Sequence, residues 1–253
     1  MRRSIAPNSN LTMPTQPHNP QTAADRLEAL RARIEVAARG RAVELLAVSK
    51  TQPAEAVSAL AGCGQRAFGE NYVQEAAAKI EALRALGLRW HLIGHLQSNK
   101  AAQAAPLFDC IESVDRAKLL PLLDAARAAS GLGPLDILLQ VNIDDETSKS
   151  GCRPEDLPAL AEAADRCAHL RLRGLMSIPA PAPELEARRR SFAALHGLFE
   201  QLRARHPQVD TLSMGMSEDF ELAIAEGATR VRVGSALFGP RGTGNGPSGM
   251  ENR

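Results

Sequence analysis

Aromatic residues are scarce in this chain. Phe, Trp and Tyr make up 3% of its 253 residues, with a single tryptophan, Trp90, and a single tyrosine, Tyr72. A core with so few rings has to be aliphatic, and hydrophobic residues reach 44%. Net charge is nearly absent at +1, which leaves no electrostatic footprint for nucleic acid or an anionic membrane surface. No apolar run approaches the roughly 18 residues needed to cross a bilayer. The four cysteines, Cys63, Cys110, Cys152 and Cys167, include no C-x-x-C pair. In a chain of this length they read as free thiols in a reducing cytoplasm rather than a disulfide framework. Residues 1–20 carry Arg2 and Arg3 but no apolar segment, so they are not a secretory signal. Residues 1–21 read as a disordered tail, within which Met13 is a second candidate start beside Met1. Lysine is scarce too. Five lysines, Lys50, Lys79, Lys100, Lys118 and Lys149, stand among 30 basic residues.

What is present is alternation. Residues 22–39 have the spacing of an amphipathic helix, with Leu27, Leu30, Ile34 and Val36 among charged neighbours. Eight apolar strand candidates follow: 43–49, 66–69, 89–93, 108–114, 135–143, 171–178, 209–214 and 230–235. Helical stretches at 53–62, 72–86, 97–105, 116–130, 155–168, 184–205 and 218–227 separate them. Eight strands with seven intervening helices and one leading helix match a (β/α)8 barrel, and such barrels run to about 250 residues. An open doubly wound sheet is the rival, but no Gly-x-Gly-x-x-Gly opens a helix after the first strand. The expected organisation is one barrel over 22–240 and a flexible tail over 241–253. The glycines of that tail lack the Gly-Lys-Ser/Thr of a P-loop. No heptad or long apolar edge argues for a dimer, so a monomer is expected.

Lys50 is the candidate for chemistry. It ends the apolar run Val43-Glu44-Leu45-Leu46-Ala47-Val48-Ser49, and Thr51-Gln52-Pro53 follows, with the proline suited to a first helical turn. A primary amine at the carboxyl end of a barrel strand can form a Schiff base with an aldehyde, which arginine cannot. The other reading is a lysine that snorkels out of the mouth. Polar residues gather at two further strand ends, Phe68-Gly69-Glu70-Asn71-Tyr72 and Trp90-His91-Leu92-Ile93-Gly94-His95. On a strand, His91 and His95 lie about 13 Å apart at about 3.3 Å per residue, too far to share one ion. One of them can point into the mouth. In the loop after strand five, acidic neighbours suit Lys149 to an ion pair rather than to nucleophilic attack.

Leu212-Ser213-Met214-Gly215-Met216-Ser217 closes strand seven, and Arg230-Val231-Arg232-Val233-Gly234-Ser235 forms strand eight. The loops after strands seven and eight of such barrels frequently bind phosphate. Ser213, Gly215, Ser217, Gly234 and Ser235 supply small residues and hydroxyls. Glu218 and Asp219 oppose an anion directly on the following helix, so the anion would sit on loop amides with the acids turned away. Ordinary turn and N-cap chemistry is the alternative. Arg230 and Arg232 share one strand face. Outside the barrel they would pair with helix acids, whereas at the mouth one could face a ligand.

These stretches together resemble the YggS/PROSC family of pyridoxal phosphate homeostasis proteins. The resemblance also rests on Val73-Gln74-Glu75, Leu96-Gln97-Ser98-Asn99-Lys100, Ser148-Lys149-Ser150-Gly151-Cys152 and Gly174-Leu175-Met176-Ser177-Ile178-Pro179, in order from about residue 25 to 240. His95 departs from the pattern, since a proline is commoner there. The resemblance implies a single barrel similar to the N-terminal domain of alanine racemase, binding pyridoxal 5′-phosphate (PLP) at its mouth. It implies that Lys50 forms the internal aldimine, that Ser213, Gly234 and Ser235 hold the phosphate, that Arg232 faces the pyridine nitrogen and that Asn71 lines the ring pocket. A guanidinium opposite that nitrogen opposes its protonation and weakens the cofactor as an electron sink. The expected role is cytoplasmic PLP storage, buffering or delivery to apo PLP enzymes, without appreciable turnover. The alternative is an amino-acid racemase or related PLP enzyme, which needs an acid/base on each face of the substrate carbon. A third reading is a phosphate-binding barrel without aldehyde chemistry.

Overall fold

The computed structural model describes residues 22–144, 150–179 and 184–239. The expected tails, 1–21 and 241–253, and Lys149 lie outside the described residues. Among the described residues, eight parallel strands close into a barrel in sequence order. They are β1 (Glu44–Val48), β2 (Ala67–Glu70), β3 (Arg89–Leu92), β4 (Cys110–Val114), β5 (Leu135–Gln140), β6 (Leu170–Met176), β7 (Thr211–Ser213) and β8 (Arg230–Val233). The closing seam pairs Glu44 with Arg230 and Leu46 with Arg232. The helices are α1 (Ala23–Ala38), α2 (Ala54–Gly62), α3 (Val73–Ala82), α4 (Ala101–Ala104), α5 (Leu119–Ser130), α6 (Leu157–Asp165), α7 (Leu185–Arg205), α8 (Phe220–Ala225) and α9 (Ser235–Phe238). None of these helices is long and apolar enough to cross a membrane.

Each strand expected from the sequence is present; most are shorter than expected, while β2 is shifted one residue on and β6 begins one residue earlier. The stretch 135–143 stops at Gln140 because the chain there leaves β6 and turns to Cys152. Asn142 N–H donates to Cys152 O at 2.9 Å, and Cys152 N–H donates to Gln140 O at 2.8 Å. The helix expected over 97–105 is a 3-10 turn at Ser98–Lys100 followed by α4. Helix α9 was not anticipated. It is a single turn closed by Gly239 at φ 82, a left-handed conformation that glycine adopts without strain.

Most of the hydrophobic core lies between the strands and the helices. Two smaller clusters fill the barrel interior. One contains Leu46, Ala67 and Ile93, and the other Cys110, Leu138 and Met176. Strand alternation therefore turns Leu46, Val48 and Lys50 inward, and Leu45, Ala47 and Ser49 outward. All four cysteines are free. Burial pushes the Cys152 thiol up to about 12, so it is no nucleophile at neutral pH.

Helix α1 begins in a capping box. Thr22 Oγ1 accepts from Asp25 N–H at 3.1 Å, and Thr22 N–H donates to Asp25 Oδ2 at 2.9 Å. Its buried stripe, Leu27, Leu30, Ile34 and Ala38, packs over α8 and α9 and covers the end of the barrel sequence. Val36, expected on the apolar face, is instead 79% exposed. Leu30→Ala should therefore lower stability by about 2–5 kcal/mol in a urea titration, whereas Val36→Ala should leave the midpoint within error.

Candidate functional site

A cavity of about 520 Å³ opens at the carboxyl ends of the strands. Lys50, two residues past the end of β1, is exposed and lines it. Asn71, Arg232, Gly234 and Ser235 line the same cavity, as do Ser217 and His95. Apolar walls come from Val48, Ile93, Ile178 and Met216. The loops after β2 and β3 meet backbone to backbone beside Asn71. A Cβ on Gly94 would lie 2.2 Å from Asn71 O, so only glycine allows that approach. Gly234 lies close to β1 with less constraint, since a Cβ there would stand 3.1 Å from Val48 O.

Ser235 Oγ donates to Ser217 Oγ at 3.1 Å, bringing together hydroxyls from the loops after β7 and β8. Gly234 O accepts the first bond of α9, from Leu237 N–H at 2.9 Å. The amides of Ser235 and Ala236 thus have no partner inside that helix and suit an anion. Asp219 Oδ1 accepts from Met216 N–H at 2.7 Å, within its own loop, and Glu218 is exposed.

Ser213 does not line the cavity. It is fully buried under Arg232. Its hydroxyl donates to Glu112 Oε2 at 2.6 Å and accepts from Arg232 Nη1 at 2.8 Å. Arg232 also donates to Ser177 O at 2.7 Å, so its guanidinium is held at two points. Burial draws the Arg232 pKa down against the pull of Glu112, yet a guanidinium remains a cation at neutral pH. Both strand-eight arginines face inward, and neither pairs with a helix acid. Arg230 instead donates to Glu44 Oε2 at 2.8 Å and to Glu112 Oε1 at 2.9 Å.

Glu112 is the residue that the sequence reading missed. Its signal was an acid in the middle of the fourth strand, Cys110-Ile111-Glu112-Ser113-Val114. His91 is buried beside it, with Nδ1 2.9 Å from Glu112 Oε1, whereas His95 reaches the mouth. His95 Nδ1 stands 3.0 Å from Ser150 Oγ and 3.5 Å from Asp115 Oδ2. The ligand atoms of His91, Cys110 and Glu112 lie within 4.8 Å of one another, the spacing of a metal site. The Arg230 guanidinium already supplies the positive charge to Glu112 there, which disfavours a metal ion.

Burial pushes the Glu112 carboxyl up, but Arg230, His91 and Arg232 outweigh it and hold it at about 2, below its ordinary 4.5. A carboxylate depressed in this way stabilises the fold above its unfolded value and loses that contribution as pH falls through the folded one. Stability should therefore fall between about pH 4.5 and 2 by an amount of order 3 kcal/mol from this group. Glu112→Gln should be destabilised by about 3–5 kcal/mol at neutral pH and should lose that part of the acid dependence, as read from urea titrations across the range.

The model of the alanine racemase N-terminal domain matches residues 26–242. The pyridoxal phosphate homeostasis protein of Pseudomonas aeruginosa is 52% identical over 228 residues, 88% of this chain and 97% of that protein. PipY of Synechococcus elongatus, solved without PLP, is 41% identical with a TM-score of 0.80, covering 86% of this chain and 100% of its own. The same protein solved with PLP bound is 40% identical with a TM-score of 0.78 over the same shares. This chain belongs to the pyridoxal phosphate homeostasis proteins, a family built on the alanine racemase N-terminal domain.

Proposed function

We propose that this chain binds PLP in the cavity at the barrel mouth and serves intracellular PLP homeostasis, holding the cofactor on Lys50 and buffering or delivering it. One observation carries the reading. An exposed amine, a buried guanidinium and a pair of serine hydroxyls converge on a single cavity with apolar walls. This donor set fits a phosphorylated aromatic aldehyde. When bound, PLP supplies an aldehyde with which a primary amine condenses, the carbonyl oxygen leaving as water.

Lys50 is that amine. Ser235 and Ser217, with the amides of Ser235 and Ala236, receive the phosphate. Ser213, expected there from the sequence, acts one step back by orienting Arg232. Arg232 presents a fixed positive charge to the ring nitrogen, and Asn71 borders the ring. A permanent cation at that position disfavours ring protonation, so the bound cofactor stabilises a carbanion poorly. That suits a carrier better than a catalyst. The barrel spans 22–240 between the two tails and works as a cytoplasmic monomer, with apo PLP enzymes as acceptors.

A racemase is the second reading, and one observation favours it. His95 lines the same cavity as Lys50, which offers two candidate bases. Tyr72 offers none, being 62% exposed and away from the cavity.

Purified protein given PLP should show a visible absorbance band, and borohydride should then fix the cofactor on Lys50, as read by peptide mass. Label on Lys149 instead would overturn the assignment. Lys50→Ala should lose the covalent link, and Arg232→Glu should change the band by favouring ring protonation. With an apo PLP enzyme added, loss of cofactor to the acceptor supports the carrier. Racemised L- or D-amino acid, lost in His95→Ala, would support the enzyme.

A further inference from the structure

Lys79 is a lysine with a buried charge. It lies on α3, behind the barrel wall and outside the cavity, at 7% exposure. Its ammonium donates to Ser49 O at 2.7 Å, Glu70 Oε1 at 2.9 Å and Glu75 Oε1 at 2.7 Å. Glu75 Oε1 also accepts from Thr51 N–H at 2.6 Å. The two backbone groups that flank Lys50 are therefore both tied to one ion cluster. Ser49 is anchored through its other polar atoms as well. Its N–H donates to Gly69 O at 2.9 Å, and its hydroxyl donates to Glu70 Oε1 at 2.5 Å. Thr51 sits at φ 63, a left-handed conformation that a β-branched residue avoids unless its surroundings impose it.

Stability alone does not explain this cluster. Buried ion groups can often be replaced by well-packed apolar side chains without loss. Glu70 Oε2 is buried with no hydrogen-bond partner, a cost that a purely structural contact would shed. An apolar pair could dock α3 on β2 equally well. It could not grip the carbonyl before Lys50 and the amide after it.

We propose that Lys79, held between Glu70 and Glu75, is a positioning residue for Lys50: the cluster fixes the Ser49 carbonyl and the Thr51 amide, and so fixes the backbone from which the amine enters the cavity. The inference rests on the reading of Lys50 as the cofactor-binding amine. Its energetic basis is preorganisation, because a displacement near 1 Å can cost a bond-forming step about a hundredfold.

The test uses isotope-labelled full-length protein without PLP, followed by PLP uptake on the same samples. In the wild type, the Thr51 amide should exchange slowly with solvent although it lies in a turn at the barrel mouth. Glu75→Ala should speed that exchange and slow PLP uptake, each by about tenfold. Glu75→Gln keeps an acceptor oxygen for Thr51 N–H and should retain most of the wild-type behaviour. Lys79→Met should resemble Glu75→Ala in both Thr51 exchange and uptake. A part that only docks the helix would instead lower the melting temperature and leave Thr51 exchange and uptake unmoved. Fast Thr51 exchange in the wild type, or wild-type uptake in Glu75→Ala, would overturn the inference by itself. A wild type that takes up no PLP would overturn the cofactor reading and this inference with it.

Discussion

A carboxylate buried at the centre of the barrel holds the interior together. Glu112 accepts from Arg230 and His91 on one oxygen and from Ser213 on the other. Without it, the interior would contain two guanidiniums with only Glu44 beneath them, and burying unpaired charge is costly. With it, positive charge can be stored just below the mouth. Arg232 reaches the cavity floor because Ser213, itself tied to Glu112, holds one of its nitrogens. The polar axis thus runs without a break from Glu44 at the amino end of the strands to Arg232 at the carboxyl end.

The mouth is organised differently. Its residues come from loops that approach closely, and at Gly94 against Asn71 the approach requires the absence of a side chain. One polar stretch of its lining is shared between two loops, through Ser217 and Ser235. Val48, Ile93, Ile178 and Met216 add apolar wall between the polar groups, which suits a flat ring carrying a phosphate at one end.

Much of this was legible along the chain. The regular exchange of short apolar runs with helical stretches announced the barrel, because a closed parallel sheet needs each strand followed by a covering helix. Lys50 was singled out by its place at a strand end, and Asn71, Arg232, Gly234 and Ser235 by the family resemblance; the structure brings all five to one cavity. Ser213 shares their motif but not their position. It points into the interior, one layer below the mouth, so its hydroxyl is spent on Glu112 and Arg232. The direction of Arg230 was likewise out of reach, since alternation groups residues by face without saying which face is inside. The extra turn of α9 escaped because four residues are too few to show a helical period.

The sequence by itself determined the order of elements, the barrel and the strand end that carries the amine. Each of these depends on local periodicity and on the geometry that turns such periodicity into strands and helices. Only the tertiary structure decided which charges meet. Glu112 finds Arg230, and Lys79 finds Ser49 and Glu70, across separations that no local pattern encodes. Closure of the sheet brings Glu112 to Arg230, and packing of α3 on the barrel wall brings Lys79 to Ser49 and Glu70, each within about 3 Å in a dry interior, where an unpaired charge is costly and a paired one is tolerated.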